Sequence, residues 1–248
     1  MNDCSTSRMH TGRDPSSEEL QVLLRDYDVR FNPEKYKLKH TEGLPLRAAS
    51  VLLPLFYKNG ELHVFLTVRS KGMPSHAGHV AFPGGMRSEE DADAIATALR
   101  EAEEEVGLDP SKVNVIAVLP SCVVRPNSLV ATVVALIPDD FVPKLNPREV
   151  EFVFDLPLRR FIEEQGQTVN TYQWEDGVVF HVYHFLDDVN GRQVDTWGFT
   201  AIQIAQCAAV IYNSDITFKG VGEQGNNMKS RFNISVTQSI INNIKAKL

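Results

Sequence analysis

One acidic segment constrains the fold of this chain most strongly, because residues 100–108 read REAEEEVGL. An α-helix has about 3.6 residues per turn, so apolar side chains spaced three or four apart share one stripe and mark its buried side. That stripe consists of Ile95, Leu99, Ala102 and Val106. The sequence therefore predicts a helix that starts near residues 91–93 and ends at Gly107, since glycine commonly ends helices.

The glutamates of this helix predict an acidic edge. By the same spacing, Glu101, Glu104 and Glu105 lie together away from the apolar stripe, and Glu103 lies on a flank. Like charges so arranged destabilise an isolated helix by about 0.2–0.5 kcal/mol per pair, and Arg100 alone cannot neutralise three carboxylates. The edge is therefore either a solvated surface or a site for a divalent cation. Oxygen ligands favour Mg²⁺ or Mn²⁺ over zinc.

A glycine-rich turn precedes the helix. Gly84 and Gly85 follow Pro83 and allow positive φ and close backbone approach. A turn of this kind beside an acid-lined helix can hold a metal ion that in turn holds a phosphate. The Gly85 carbonyl is therefore predicted as a further metal ligand.

The glycine pair and REAEEEVGL together resemble the Nudix box. The second half of the box matches at every specified position if Ala102 is accepted as aliphatic. The first half departs, because the spacer after Gly85 is one residue longer and Asp91 stands where the box has glutamate. The resemblance implies an α/β fold, the Nudix α/β/α sandwich around a mixed β-sheet.

The resemblance also implies a metal-dependent hydrolase of diphosphate linkages with Mg²⁺ or Mn²⁺ as cofactor. The implied metal ligands are Glu101, Glu104, Glu105 and Gly85, and the implied catalytic residues are Arg100, Glu104 and Glu105. Arg100 either orients the glutamates or forms a structural salt bridge. The general base is left open between a glutamate of the box and a loop residue such as Glu149 or Glu223.

Residues 65–85, FLTVRSKGMPSHAGHVAFPGG, are similar to the signature of the coenzyme A diphosphatase branch. The similarity implies substrate contacts by Arg69, Ser70, His76 and Gly84. Pro74 departs from the signature, which has an arginine at that position. The implied reaction splits coenzyme A (CoA) or acyl-CoA into 3′,5′-ADP and the corresponding 4′-phosphopantetheine. Two alternatives stay open: a pyrophosphatase for ADP-ribose or NADH, and a nucleotide-binding module without turnover.

Turn signals and hydrophobic runs divide the chain. Residues 1–40 are predicted as a partly disordered N-terminal extension, 45–215 as the Nudix hydrolase domain, and 216–248 as a C-terminal helix with a targeting tail. Asn59-Gly60 and Asn190-Gly191 each predict a β-hairpin. Further helices are predicted at about 156–164, 199–212 and 235–246.

Charge and hydropathy restrict the partners. With 25 basic and 32 acidic residues the net charge is −7, which argues against nonspecific binding to nucleic acid or to an anionic membrane. No apolar run approaches the roughly 18 residues of a membrane span. We therefore expect a soluble protein with a small-molecule substrate and no membrane insertion.

The chain ends on Ala246, Lys247 and Leu248, which resemble the Ser-Lys-Leu peroxisomal address. The sequence thus predicts import into peroxisomes through the receptor for that signal. The alternative is a helix that ends in lysines, because cations are favourable at helix C-termini.

We expect a fusion with a fluorescent protein at the N-terminus to give a punctate signal that coincides with a peroxisomal matrix marker. Deletion of Leu248 should make the signal diffuse, because the receptor reads the terminal tripeptide. Fluorescence microscopy of both fusions tests this, and a diffuse signal from the intact fusion would contradict the localisation.

Overall fold

The computed structural model describes residues 13–124, 127–163, 165–173, 179–214 and 235–246. Its central hairpin consists of β1, Arg47–Lys58, and β2, Glu61–Arg69. The two strands are joined at Asn59 and Gly60, whose φ angles are 53° and 84°. Both values are positive, as a two-residue type I′ turn requires, which confirms the hairpin predicted from Asn-Gly.

Seven strands form the main sheet. The other five are β3 (Val80–Ala81), β4 (Gly84–Met86), β5 (Asn114–Val124), β6 (Ser128–Leu136) and β7 (Val150–Pro157). Their order is β3-β2-β1-β6-β5, with β4 paired to β1 and β7 paired to β2. The β1–β6 pair is parallel and the others are antiparallel. The sheet is therefore mixed, as expected.

Helices cover both faces of this sheet and complete the predicted α/β/α sandwich. Helix α2, Ala94–Val106, packs on one face in a cluster with Leu52, Val118 and Val133. Helices α1, Ser17–Leu24, and α3, Gly198–Ile211, share the cluster on the other face. The helix predicted at about 199–212 thus differs from α3 by one residue at each end.

A second sheet of three strands lies beside the first. It contains β8 (Gln167–Gln173), β9 (Val179–Val189) and β10 (Arg192–Trp197) in the order β10-β9-β8. Asn190 and Gly191 connect β9 and β10 with positive φ, which confirms the second predicted hairpin. Helix α4, Ser235–Ala246, has the predicted bounds. Among the described residues, no helix has the length and apolar character needed to cross a bilayer.

The helix predicted at about 156–164 is shorter than expected and is a 3-10 helix. Strand β7 continues to Pro157, where Leu156 and Pro157 still pair with Val64 and His63 of β2. Only a 3-10 helix, Leu158–Ile162, follows it. Pairing with β2 therefore keeps Leu156 and Pro157 in the strand, and helical structure starts only at Leu158. Two other short 3-10 helices lie at Arg25–Tyr27 and Pro110–Lys112.

The N-terminal extension contributes a few side chains to the core, and residues 1–12 lie outside the described residues. Leu20 and Leu24 of α1 are fully buried. The Asp14 carboxylate accepts a hydrogen bond of 2.5 Å from the Leu62 backbone N–H and pairs with Arg159 at 2.9 Å. Partial disorder and the proposed domain limits stay predictions, as does the targeting tail, because Lys247 and Leu248 are also not described.

We expect Gly84→Ala to lower the free energy of unfolding by about 2 kcal/mol, because its backbone is strained for any other residue. Gly84 has φ 155°, and a Cβ there would lie 2.5 Å from the Ser50 carbonyl oxygen of β1. Urea denaturation measures the change. Gly72→Ala is the matched control, since its nearest neighbour would be Ser70 Oγ at 3.8 Å. Equal stability of the two variants would contradict the clash.

Candidate functional site

Helix α2 begins and ends as the sequence predicts. The Asp93 side chain caps its N-terminus by accepting a 2.9 Å hydrogen bond from the Ala96 N–H. Gly107 ends it with φ 72°, and its N–H donates to the Glu103 carbonyl at 2.9 Å. The bounds of the helix therefore follow from local sequence alone.

The buried face of α2 differs from the predicted stripe. Ala102 and Val106 are fully buried, but Ile95 and Leu99 are only half-buried. Glu105, predicted on the side away from the core, is 3% exposed. The reason is that strand β4 packs along this side of the helix, and the Gly84 N–H donates to Glu105 Oε2 at 3.3 Å.

The glycine pair makes room for the Glu101 carboxylate and for strand β1. A Cβ on Gly85 would collide with the carboxylate of Glu101, and one on Gly84 would collide with the β1 backbone. Gly85 pairs with Ser50 in the short ladder between β4 and β1. The backbone can therefore lie directly against the acidic side of the helix, which is the close approach that the sequence predicts for this turn.

Three glutamates meet at this point. Glu101, Glu105 and Glu149 each place one carboxylate oxygen so that the three oxygens lie within 4.8 Å of one another. Two of them belong to the predicted set, and Glu149 was predicted only as a possible base. Glu104 lies outside this group, since its side chain is 54% exposed and its carboxylate lies 3.3 Å from Arg100 Nη1. Metal binding by Glu104 stays a prediction.

Asn146 holds Glu149 in place and is not among the site residues predicted from the sequence. The Asn146 side-chain amide donates to Glu149 Oε1 at 3.0 Å, and its backbone N–H donates to the Glu105 carbonyl at 2.9 Å. The Ser70 N–H donates to the Glu149 carbonyl at 2.8 Å. Asn146-Pro147 is a turn signal, but its link to α2 is a tertiary contact.

Burial dominates the electrostatics of the glutamates. It raises the pKa of Glu105 to about 8, and like charges on Glu149 and Glu101 add to the effect, whereas the Arg69 guanidinium acts against it. Burial also raises the pKa of Glu101. Both carboxylates therefore lack sufficient compensating positive charge within the described part of the chain.

Arg100 fastens the helix to the preceding loop. It binds Asp91 with two hydrogen bonds, Nε to Oδ1 at 3.0 Å and Nη2 to Oδ2 at 2.9 Å, and donates to the Met86 carbonyl at 3.1 Å. The Arg100 hydrogen bond lowers the pKa of Asp91. Arg100 also lies 2.9 Å from Glu101 Oε1. Arg100 therefore forms a structural salt bridge with Asp91, and its predicted role in orienting the glutamates stays a prediction.

The other predicted contact residues differ in their burial and in their hydrogen bonds. Arg69 Nε is buried and has no hydrogen-bond partner among the described residues. Ser70 is half-buried and its Oγ accepts from the Gly72 N–H at 3.4 Å. His76 is exposed, with φ 53° and its ring 5.4 Å from that of His79. Glu223 lies outside the described residues.

The donor set fits a hard divalent cation. All three converging groups are carboxylates, and the ligands that Mg²⁺ and Mn²⁺ prefer are oxygens. A bound cation would also favour the ionised forms that burial disfavours at Glu101 and Glu105.

Residues 46–171 match the model of the NUDIX domain family. The chain belongs to the Nudix family. Among relatives, it is 37% identical to the peroxisomal coenzyme A diphosphatase of Mus musculus over 172 residues, which cover 68% of this chain and 72% of the relative. The Nudix motif identified from the residues is thus confirmed.

Two plant relatives are similarly close. Nudix hydrolase 22 of Arabidopsis thaliana, named as chloroplastic, is 37% identical over 77% of this chain and 59% of its own length. Nudix hydrolase 15 of Arabidopsis thaliana, named as mitochondrial, is 36% identical over 81% of this chain and 66% of its own length. The chain thus spans less than two thirds of each plant relative.

Glu105→Gln should stabilise the metal-free protein progressively as the pH rises from about 5 to 8. Glu105 has a pKa raised from 4.5 to about 8, so the folded state retains a proton that the unfolded state releases. The stability from this group is present below pH 4.5 and lost as the pH approaches 8, with a slope of at most about 1.4 kcal/mol per pH unit.

Thermal unfolding in a chelating buffer at a series of pH values measures this effect. Glu103→Gln is the control, because Glu103 is exposed on the flank of the same helix. A difference in melting temperature between wild type and Glu105→Gln that stays the same at every pH would contradict the raised pKa of Glu105.

Proposed function

We propose that this protein is a divalent-cation-dependent hydrolase of a diphosphate bond. The observation that carries the proposal is the convergence of Glu101, Glu105 and Glu149 beside the glycine turn. Family membership supports it, because relatives at 36–37% identity are named as hydrolases. The proposed cofactor is Mg²⁺ or Mn²⁺.

The protein residues divide the work around the diphosphate. A divalent ion held by the glutamates would supply a more acidic water and stabilise charge on phosphoryl oxygens. Arg69 can donate its unpaired Nε–H to a phosphate oxygen, which would satisfy a buried donor that the described residues leave without a partner. The carboxylates are the candidates to accept the proton of the attacking water. Arg100 and Asn146 hold the glutamates in position.

We propose CoA or acyl-CoA as the substrate, with 3′,5′-ADP and (acyl-)4′-phosphopantetheine as products. Two observations support this choice over other diphosphates. The segment 65–85 resembles the signature of that branch, and the Mus musculus relative is named a coenzyme A diphosphatase. Arg69, which the signature implies as a contact, lies close enough to Glu105 to influence its charge.

One departure favours a second candidate substrate. Pro74 replaces an arginine of the signature and is exposed, so this chain lacks one possible phosphate contact. A pyrophosphatase for ADP-ribose or NADH is therefore the alternative. A nucleotide-binding module without turnover is less favoured, because binding alone does not require three converging glutamates.

Peroxisomal localisation stays a prediction from Ala246, Lys247 and Leu248. The names of the three relatives give three different compartments: peroxisome, chloroplast and mitochondrion. Similarity therefore does not choose among them, and the fusion experiment above is the test.

The substrate test offers CoA, an acyl-CoA, dephospho-CoA, ADP-ribose and NADH in parallel, with Mg²⁺ or Mn²⁺. We expect the CoA compounds to be cleaved with the highest kcat/KM, and mass spectrometry to identify 3′,5′-ADP as a product. Preferred cleavage of ADP-ribose or NADH would replace the proposed substrate. Absence of turnover with either metal would favour the binding module.

Two matched variants connect this turnover to the glutamate group. Glu105→Gln changes a charge with almost no change in shape and should reduce kcat by at least about 100-fold, because it removes a ligand of the divalent ion that would stabilise charge on the phosphoryl oxygens. Glu103→Gln should change kcat by less than about twofold, since its side chain is exposed.

A further inference from the structure

An open cleft of about 610 Å³ separates the edge of the main sheet from the second sheet. One wall comes from the ends of β2 and β7 and the loop before β3, and the other from β10. Its lining includes Lys71, His79, Phe152, Arg192, Gln193 and Trp197. Its volume lies in the range of small-molecule sites, about 300–1,000 Å³.

Aromatic rings line part of this cleft. The His79 and Trp197 rings meet edge to face with centroids 5.1 Å apart, and the His184 ring stacks parallel to Trp197 with centroids 5.7 Å apart. Trp197 is the last residue of β10 and directly precedes α3, so both elements position its backbone. Such a wall is suited to the face of a purine base.

Two cationic side chains occupy the same cleft. Arg192 is exposed and lies over the Phe152 ring, with its guanidinium carbon 4.8 Å from the ring centroid. It forms no ion pair with a carboxylate among the described residues. Lys71 is exposed and has only a loose contact with Glu151 at 3.7 Å. Two carboxylates, Glu151 and Asp195, also line the cleft, and Asp195 lies 2.8 Å from His184 Nδ1. Lys71 and Arg192 are the cleft's exposed cations.

The cleft begins where the glutamate group ends. Along β2, Val68 lines the cleft, and the guanidinium of the next residue, Arg69, lowers the pKa of Glu105. Along the start of β7, Glu149 belongs to the glutamate group and Glu151 lines the cleft. The Arg69 N–H and the His79 carbonyl, 3.0 Å apart, join the two sides. Because β2 ends at Arg69, a molecule whose diphosphate lies at the glutamates would reach the cleft around the end of this strand.

We propose that this cleft binds the adenosine 3′-phosphate end of the substrate, with the base against Trp197 and His79 and the 3′-phosphate between Lys71 and Arg192. The inference rests on the proposed function, which supplies a substrate with a diphosphate attached to such a nucleotide. The pantetheine arm fits less well, because it has neither a ring to stack nor a charge for the two cations. Arg192 and Trp197 also lie beyond residue 171, where the family match ends.

Calorimetric titration with 3′,5′-ADP and with 5′-AMP tests the cleft without turnover. Wild type should bind 3′,5′-ADP at least about tenfold more tightly. Arg192→Gln and Lys71→Gln should each remove most of that preference while leaving AMP binding within about twofold. Lys112→Gln is the control, since Lys112 is an exposed base on a separate 3-10 helix. Thermal unfolding checks that each variant is folded.

Fluorescence reports the place of binding. The chain has two tryptophans, so Trp174→Phe leaves Trp197 as the only one. Addition of 3′,5′-ADP should then change the Trp197 emission with the same dissociation constant as the titration. An unchanged emission during binding would place the nucleotide elsewhere and overturn the inference.

The outcomes separate the cleft from the reaction. Equal binding of 3′,5′-ADP and AMP by wild type, or a preference retained in both cation variants, would overturn the cleft even if CoA is hydrolysed. A preference that depends on Arg192 and Lys71 would support the cleft even if wild type fails to cleave CoA, in which case only the proposed reaction would be refuted.

Discussion

Two glutamates of helix α2 lie against the backbone of strand β4, and the geometry of the site depends on this contact. It is possible because Gly85 has no side chain where the Glu101 carboxylate lies, and because Gly84 donates its N–H to Glu105. The same contact removes Glu105 from water and raises its pKa. The contact between α2 and β4 therefore accounts both for the close packing and for the need of positive charge near Glu105.

Several polar contacts hold this unfavourable arrangement together. Arg100 joins the helix to the loop through Asp91 and the Met86 carbonyl. Asn146 joins the start of the β7 segment to the helix through Glu149 and Glu105. Bidentate and charge-assisted contacts of this kind fix geometry as well as supplying energy. Glutamates that repel one another can thus converge before a cation is bound.

The glutamate group and one wall of the proposed nucleotide cleft come from different parts of the chain. The glutamates lie within residues 46–171, which match the family. One wall of the cleft comes from β10, whose position depends on the second sheet and on α3. Such a separation would allow substrate specificity to change through the elements around the motif without a change in the motif itself.

The sequence by itself determined the local structure of this protein. Asn-Gly pairs fixed both hairpins through their positive φ, and Asp93 and Gly107 fixed the bounds of α2. The box spacing identified the family and two of the three converging glutamates. These features depend on neighbours a few residues apart, whose effects can be evaluated without the rest of the fold.

Only the tertiary structure decided which side of α2 is buried and which acids meet. An isolated helix predicts burial from its apolar stripe, but β4 covers the adjacent side and encloses Glu105, leaving Glu104 exposed. Glu149 joins the group through a turn more than 40 residues away in sequence. Pairing of β7 with β2 likewise extends the strand to Pro157, so only a short 3-10 helix forms where a longer helix was predicted. Long-range contacts of this kind leave no periodic signal in the sequence.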